Sequence, residues 1–185
     1  ATIAATVLAL TTVNAAPAHA EISPEGANDW NCKPSFAHPR PVVLVHGTFE
    51  NMAFNWQKLS PALKKAGYCV YALNYGGAQD APIQGTGDIP TSAGQLSAFV
   101  DRVLAATKAG KVDLVGHSQG GMMPRYYMKF LGGASKVNKL VGIVPSNHGT
   151  NASGLAALGS LLGITQAIVK AAPAAGQQLT DSDFL

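Results

Sequence analysis

Val-Asp-Leu-Val-Gly-His-Ser-Gln-Gly-Gly, residues 112–121, is the stretch on which the reading of this chain turns. Val112 to Val115 is a short, β-branched-rich run suited to a buried parallel strand. Gly116 to Gly120 then spells G-x-S-x-G with Ser118 at its centre. Beyond it Met122, Met123, Tyr126, Tyr127 and Phe130 fall near helical spacing, and Gly132-Gly133 supplies a stop. Pro124 sits early enough in that helix to be tolerated. A serine hydroxyl is a weak nucleophile and must be presented outside the backbone, beside a base and near backbone donors. A sharp strand-to-helix turn does this by holding the serine in a strained conformation. Glycine is needed at 116 and 120, because a Cβ at either would crowd the neighbouring strand or helix. The segment predicts Ser118 as a nucleophile on such a turn.

Working outward, Val42–Val45 reads as another buried strand, and Cys69–Leu73 and Leu140–Val144 as further strands. Ser60–Ala66, Ser92–Ala109 and Gly120–Leu131 read as helices between them. The second helix carries the clearest pattern. Ser92 and Gln95 fit a capping box, and Leu96, Phe99, Val100, Val103 and Leu104 make one apolar stripe closed by Gly110. A βαβαβαβ series predicts an α/β class with a mainly parallel sheet flanked by helices. The chain has 185 residues, 47% apolar and 12% charged, enough for one domain with a sizeable core.

Three segments together carry a resemblance: V-V-L-V-H-G-T at Val42–Thr48, W-x-x-L-x-P-x-L-x-x-A-G-Y-x-V at Trp56–Val70, and the Ser118 stretch. At these separations the chain resembles secreted bacterial lipases and esterases of the α/β-hydrolase superfamily, in particular actinobacterial lipases of class 2. The resemblance covers about residues 30 to 150 and implies hydrolysis of carboxylic esters, triacylglycerol above all, with no cofactor. By position Ser118 matches the nucleophile, and the Thr48 and Gln119 amides match the oxyanion donors. Gly47 would let the backbone approach substrate closely, and the Thr48 hydroxyl is expected as a further donor. His46 precedes the serine, whereas the fold's order is Ser, acid, His; it reads as a structural histidine. An acyltransferase on the same scaffold and a catalytically incomplete fragment are the alternative readings.

The ends of the chain carry further expectations. Downstream of Ser118 the only histidine is His148 and the only acids are Asp181 and Asp183. Their order is wrong for the fold, so His148 reads as a loop residue and the two aspartates as a solvated terminus. The hydrolase domain, residues 41–185, is therefore read as its N-terminal part, with the triad acid and base expected beyond it. Residues 1–20 read as part of a signal peptide, with an apolar run at 3–13 and Ala18-His19-Ala20 as a cleavage site. Residues 21–40 form an N-terminal arm. Export implies an oxidising compartment in which Cys32 and Cys69 can pair, two buried free thiols being the alternative. Leu155 to Val169 traces an apolar face that suits either a lid or a core-packing helix.

Other classes find little support. Net charge is +3 with dispersed lysines, and no basic stripe with interleaved aromatics suggests nucleic-acid binding. No C-x-x-C or His-rich cluster suggests a metal site, and the N-terminal apolar run is too short for a transmembrane anchor. The expected partner is a lipid or acyl ester, including a lipid interface. Asn74 to Pro90 is Gly-rich and aperiodic, a surface loop expected to line the site.

Overall fold

Strands β1 (Val42–Val45), β2 (Val70–Leu73), β3 (Val112–His117) and β4 (Val137–Ile143) form one parallel sheet in the order β2-β1-β3-β4. The computed structural model describes residues 22–78, 81–163, 167 and 171–179. The expected signal peptide, Asp181 and Asp183 lie outside the described residues. Every residue of β1 and β2 is buried, as in parallel strands covered on both faces. Alternate side chains sort the two layers. Val43, Val45, Tyr71 and Leu73 pack against α3 (Ile89–Thr107) and α4 (Gln119–Phe130) through Leu96, Val100, Val103, Met123 and Tyr127. Val42, Leu44, Val70 and Ala72 face Met52 of α1 (Met52–Asn55), Trp56, and Leu59 and Leu63 of α2 (Leu59–Lys65).

This topology positions the site. From β1 the chain goes to β2 on one side and then returns to add β3 on the other. The C-terminal ends of β1 and β3 therefore lie adjacent, with Val45 opposite Gly116. Open α/β sheets bind ligands at such a reversal of strand order. The segments following β1 and β3 meet there.

The N-terminal arm is stitched to the opposite edge. Cys32 and Cys69 are disulfide-bonded. Ala27 bridges Val70 in parallel, and the Asn28 amide both donates to the Ala72 carbonyl and accepts from its N–H, at 2.9 Å each. Trp30 packs on Tyr71 and Phe99, with the Arg102 guanidinium 3.7 Å over its ring.

Several element bounds differ from the sequence reading. The capping box does not form: α3 begins at Ile89, with Asp88 as N-cap accepting from Thr91 N–H at 2.9 Å. Pro90 suits a first turn, where its missing N–H costs nothing, and the fully buried Ile89 pulls that turn onto the core. Ser92 is thus buried inside the helix, and Gln95 accepts from Gly76 N–H instead. Strand β4 starts three residues early because Val137 packs into the core after the 3₁₀ turn Gly133–Ser135. Val144, expected to close it, leaves the strand with φ 43. Cys69 precedes β2 instead of opening it.

The segment after β4 is also not one continuous helix. Helix α5 runs Ala152–Leu161, and Gly163 follows with φ 70. Leu155 is buried against Phe49, Ala172 and Ala175, with Leu162 partly buried beside them, whereas Leu161 of the expected stripe is 83% exposed. Thr165, Ile168 and Val169 lie outside the described residues, and the side chain of Leu158 is not described. A short helix α6 (Pro173–Gln177), not foreseen, follows, and Leu179 bridges Thr150. On the outer edge, among the described residues, β4 pairs only with β3 and leaves Val141 and Ile143 exposed. Among the described residues no helix is long and apolar enough to cross a membrane.

Candidate active site

Ser118 sits at the junction of β3 and α4 with φ 52 and ψ −121. L side chains rarely adopt such a backbone, and holding it costs on the order of 1–3 kcal/mol. The surroundings enforce it. Ser118 N–H donates to the Ile143 carbonyl at 3.0 Å, and Gly121 N–H donates to the Ser118 carbonyl at 2.9 Å. A Cβ at Gly116 would run into the carbonyl of Gly120, and one at Gly120 into the carbonyls of Val45 and His46. Both glycines are therefore required by close backbone packing, as the motif predicted. This is a strained strand-to-helix turn.

The loop after β1 lies directly against it. A Cβ built on Gly47 would stand 3.2 Å from Ser118 Cβ, 3.1 Å from His117 Nδ1 and 2.7 Å from Glu50 Oε2. Thr48 follows, 1% exposed, and Phe49 after it has φ 64. Thr48 Oγ donates to Gln119 Oε1 at 2.8 Å and accepts from Gln178 Nε2 at 2.8 Å. Its proton is committed to Gln119, which corrects the expectation that the hydroxyl serves as an extra donor. The backbone amides of Thr48 and Gln119 belong to the two segments that meet beside Ser118.

Sequence reasoning missed Glu50 and His117. Glu50 is 7% exposed and accepts from Gly47 N–H at 2.9 Å and from His117 Nδ1 at 2.9 Å. The carboxylate thus clamps the β1 loop to His117, the residue before Ser118. His46 behaves as expected of a structural histidine. It is fully buried, stacks on Tyr75, and donates from Nδ1 to the Gly47 carbonyl at 2.8 Å. His148 lies exposed in the turn after β4, consistent with a loop residue.

The two imidazoles titrate in opposite directions, and this makes stability depend on pH. Burial pushes His46 down to about 4, against about 6.5 unfolded. Between those values the unfolded chain binds more protons, so stability falls as pH drops, by about 3 kcal/mol in all. His117 is raised, first by its hydrogen bond to Glu50. Its contribution is complete below about 6.5 and is lost as pH climbs through the raised folded value. Urea midpoints measured across the acid and alkaline ranges are expected to peak near pH 6.5. His117→Gln should flatten the alkaline limb. An acid limb with no slope would remove the account of His46.

A cleft of about 280 Å³ opens at Ser118, lined also by Val144, Ser146, Thr150, Leu155 and Gln178. The Gly-rich loop after β2 does not face it. That loop backs the β1 loop, since a Cβ on Gly85 would stand 2.7 Å from the Gly47 carbonyl oxygen. It borders a separate cleft of about 590 Å³ with Ile83, Thr86, Gln95, Ala172 and Pro173. Among the described residues no group of three or more His, Cys, Asp or Glu is placed to hold a metal ion.

Comparison with known proteins agrees with this geometry. Residues 39–185 match the protein family described as Lipase (class 2). A triacylglycerol lipase of Pseudarthrobacter phenanthrenivorans is 44% identical over 92 residues, covering 46% of this chain and 27% of that protein. One of Burkholderia plantarii is also 44% identical over 92 residues, covering 46% of this chain and 24% of that protein. The chain thus spans about a quarter of the length of these curated relatives. The crystal structure of a Bacillus licheniformis lipase in mature form superposes with TM-score 0.61 at 19% identity. The match covers 86% of this chain and 59% of that one. At that identity the likeness shows the α/β-hydrolase fold alone.

Proposed function

We propose that this chain, which belongs to the class 2 lipase family over residues 39–185, supplies the nucleophile and the oxyanion donors of an exported carboxylic ester hydrolase acting on triacylglycerol. The observation that carries the reading is Ser118 held at φ 52 with the Gly47–Thr48 loop packed against it. The triacylglycerol lipase names of the relatives favour a lipid ester as substrate. The disulfide between Cys32 and Cys69 favours an oxidising compartment outside the cell.

In the proposed reaction Ser118 Oγ attacks the ester carbonyl carbon while a general base takes its proton. The Thr48 and Gln119 amides stabilise the charge that develops on the carbonyl oxygen. Collapse breaks the bond to the glycerol oxygen, which receives the proton, and leaves a Ser118 acyl-enzyme that water then hydrolyses. Of the described histidines, His46 and His117 spend Nδ1 on Gly47 and Glu50, and none hydrogen-bonds Ser118 Oγ. Leu155 and Val144, in the cleft beside the serine, offer an apolar wall for the acyl chain. A lid role for the segment around α5 is part of the proposal, supported by its position over this cleft.

Titrating fatty acid released from a triacylglycerol emulsion by the full-length protein tests the reading. Acid release with water as acceptor is expected, and an added alcohol or sterol should not displace it. Acyl transfer to the added acceptor with little free acid would replace the hydrolase by an acyltransferase.

A further inference from the structure

Gln178 is buried to 1% although it lies 130 residues from the loop it touches. Its side chain is saturated. Nε2 donates to Thr48 Oγ at 2.8 Å and to the Ala174 carbonyl at 2.9 Å, and Oε1 accepts from Ser146 Oγ at 3.0 Å. Its backbone is held too. The N–H caps α6 on the Ala174 and Ala175 carbonyls, and the carbonyl accepts from Thr150 N–H at 2.7 Å. Gln178 is therefore a fixed point from which an amide reaches into the β1 loop.

That loop needs outside support. Phe49, immediately after Thr48, holds a left-handed φ of 64, which a non-glycine residue keeps only where its surroundings over-determine it. The ring of Phe49 is seated among Leu155, Ala172 and Ala175, next to the helix that ends at Gln178. From Gln178 the hydrogen bonds run on through Thr48 Oγ to Gln119 Oε1, so both residues assigned as oxyanion donors lie on one chain. The relay runs one way: Ser146 Oγ donates to Gln178 Oε1, Gln178 Nε2 to Thr48 Oγ, and Thr48 Oγ to Gln119 Oε1.

We propose that Gln178 is a positioning residue, which sets the Thr48 and Gln119 amides against Ser118 by holding the Thr48 side chain. The inference rests on the ester-hydrolase reading above. A misplacement of catalytic groups by about 1 Å can cost about a hundredfold in rate. Gln178 would act through the transition state and leave ground-state binding alone.

The test uses the full-length protein and a soluble p-nitrophenyl ester. Gln178→Met keeps the length of the side chain and removes its donors and acceptor. It is expected to lower kcat about ten- to hundredfold while KM stays within about twofold. In a Thr48→Val background, where the link is already cut, the same change should cost less than about twofold. Unchanged kcat in folded Gln178→Met, or losses that simply multiply in the double variant, would overturn the proposal. Should Gln178→Met fail to fold, Gln178→Asn, which withdraws the amide by one methylene, carries the same expectations. Ser118→Ala is assayed alongside. Turnover surviving there sinks the hydrolase reading itself, whereas turnover that needs Ser118 but ignores Gln178 sinks only the positioning role.

Discussion

Ser118→Ala in the full-length protein is expected to reduce ester turnover by about 10⁴- to 10⁶-fold, the scale seen when a triad serine is removed. Folding should be untouched. Alanine keeps the Cβ that Ser118 already carries at φ 52, so the strain of the turn is unchanged, and the Ser118 side chain lines an open cleft. A fluorophosphonate probe should label the parent at Ser118 and leave the variant unlabelled. In the proposed reaction the hydroxyl forms the covalent intermediate, so its removal leaves only the catalysis that transition-state binding supplies. Turnover within tenfold of the parent, with thermal unfolding unchanged, would mean that another group attacks the ester.

Replacing both Cys32 and Cys69 by alanine is expected to cost roughly 3–4 kcal/mol of stability, because the bridge closes a separation of 37 residues. For a domain of this size that corresponds to a fall in melting temperature of roughly 10 °C. The arm should loosen first. It is held to β2 by the Ala27 bridge and the Asn28 amide, contacts that bury little apolar surface, with Trp30 as the main anchor. Intact-mass counting after alkylation without reductant should find no free thiol in the parent. A double variant melting within about 2 °C of the parent would show that the arm is secured by Trp30 and the sheet edge alone.

The pairing of Cys32 with Cys69 was legible because the chain holds only two cysteines and its apolar N-terminal run was read as an export signal. The strained turn was legible for a different reason. Strand, turn and helix are contiguous around Ser118, so the glycines at 116 and 120 report on a backbone packed close by. Strands β1 and β2 were equally plain, since a parallel strand covered on both faces must be apolar throughout. The start of α3 was misread because two local signals competed. Ser92-Gln95 matches a cap, but Asp88 and Pro90 match one too, and the burial of Ile89 decided between them.

Residue type and short-range spacing thus determined the strained turn at Ser118, its flanking glycines, the order of strands and helices, and the one available disulfide. Each depends on local sterics or on burial that composition already announces. The tertiary structure alone decided which polar groups meet. Glu50 reaches His117 across 67 residues, and Gln178 reaches Thr48 across 130. The turn of α6 that delivers Gln178 carries no periodic apolar signal of its own. Hydrogen bonds of this kind are directional over about 3 Å. They form only where packed helices bring two backbones to that distance, and no pattern along the chain encodes such an approach.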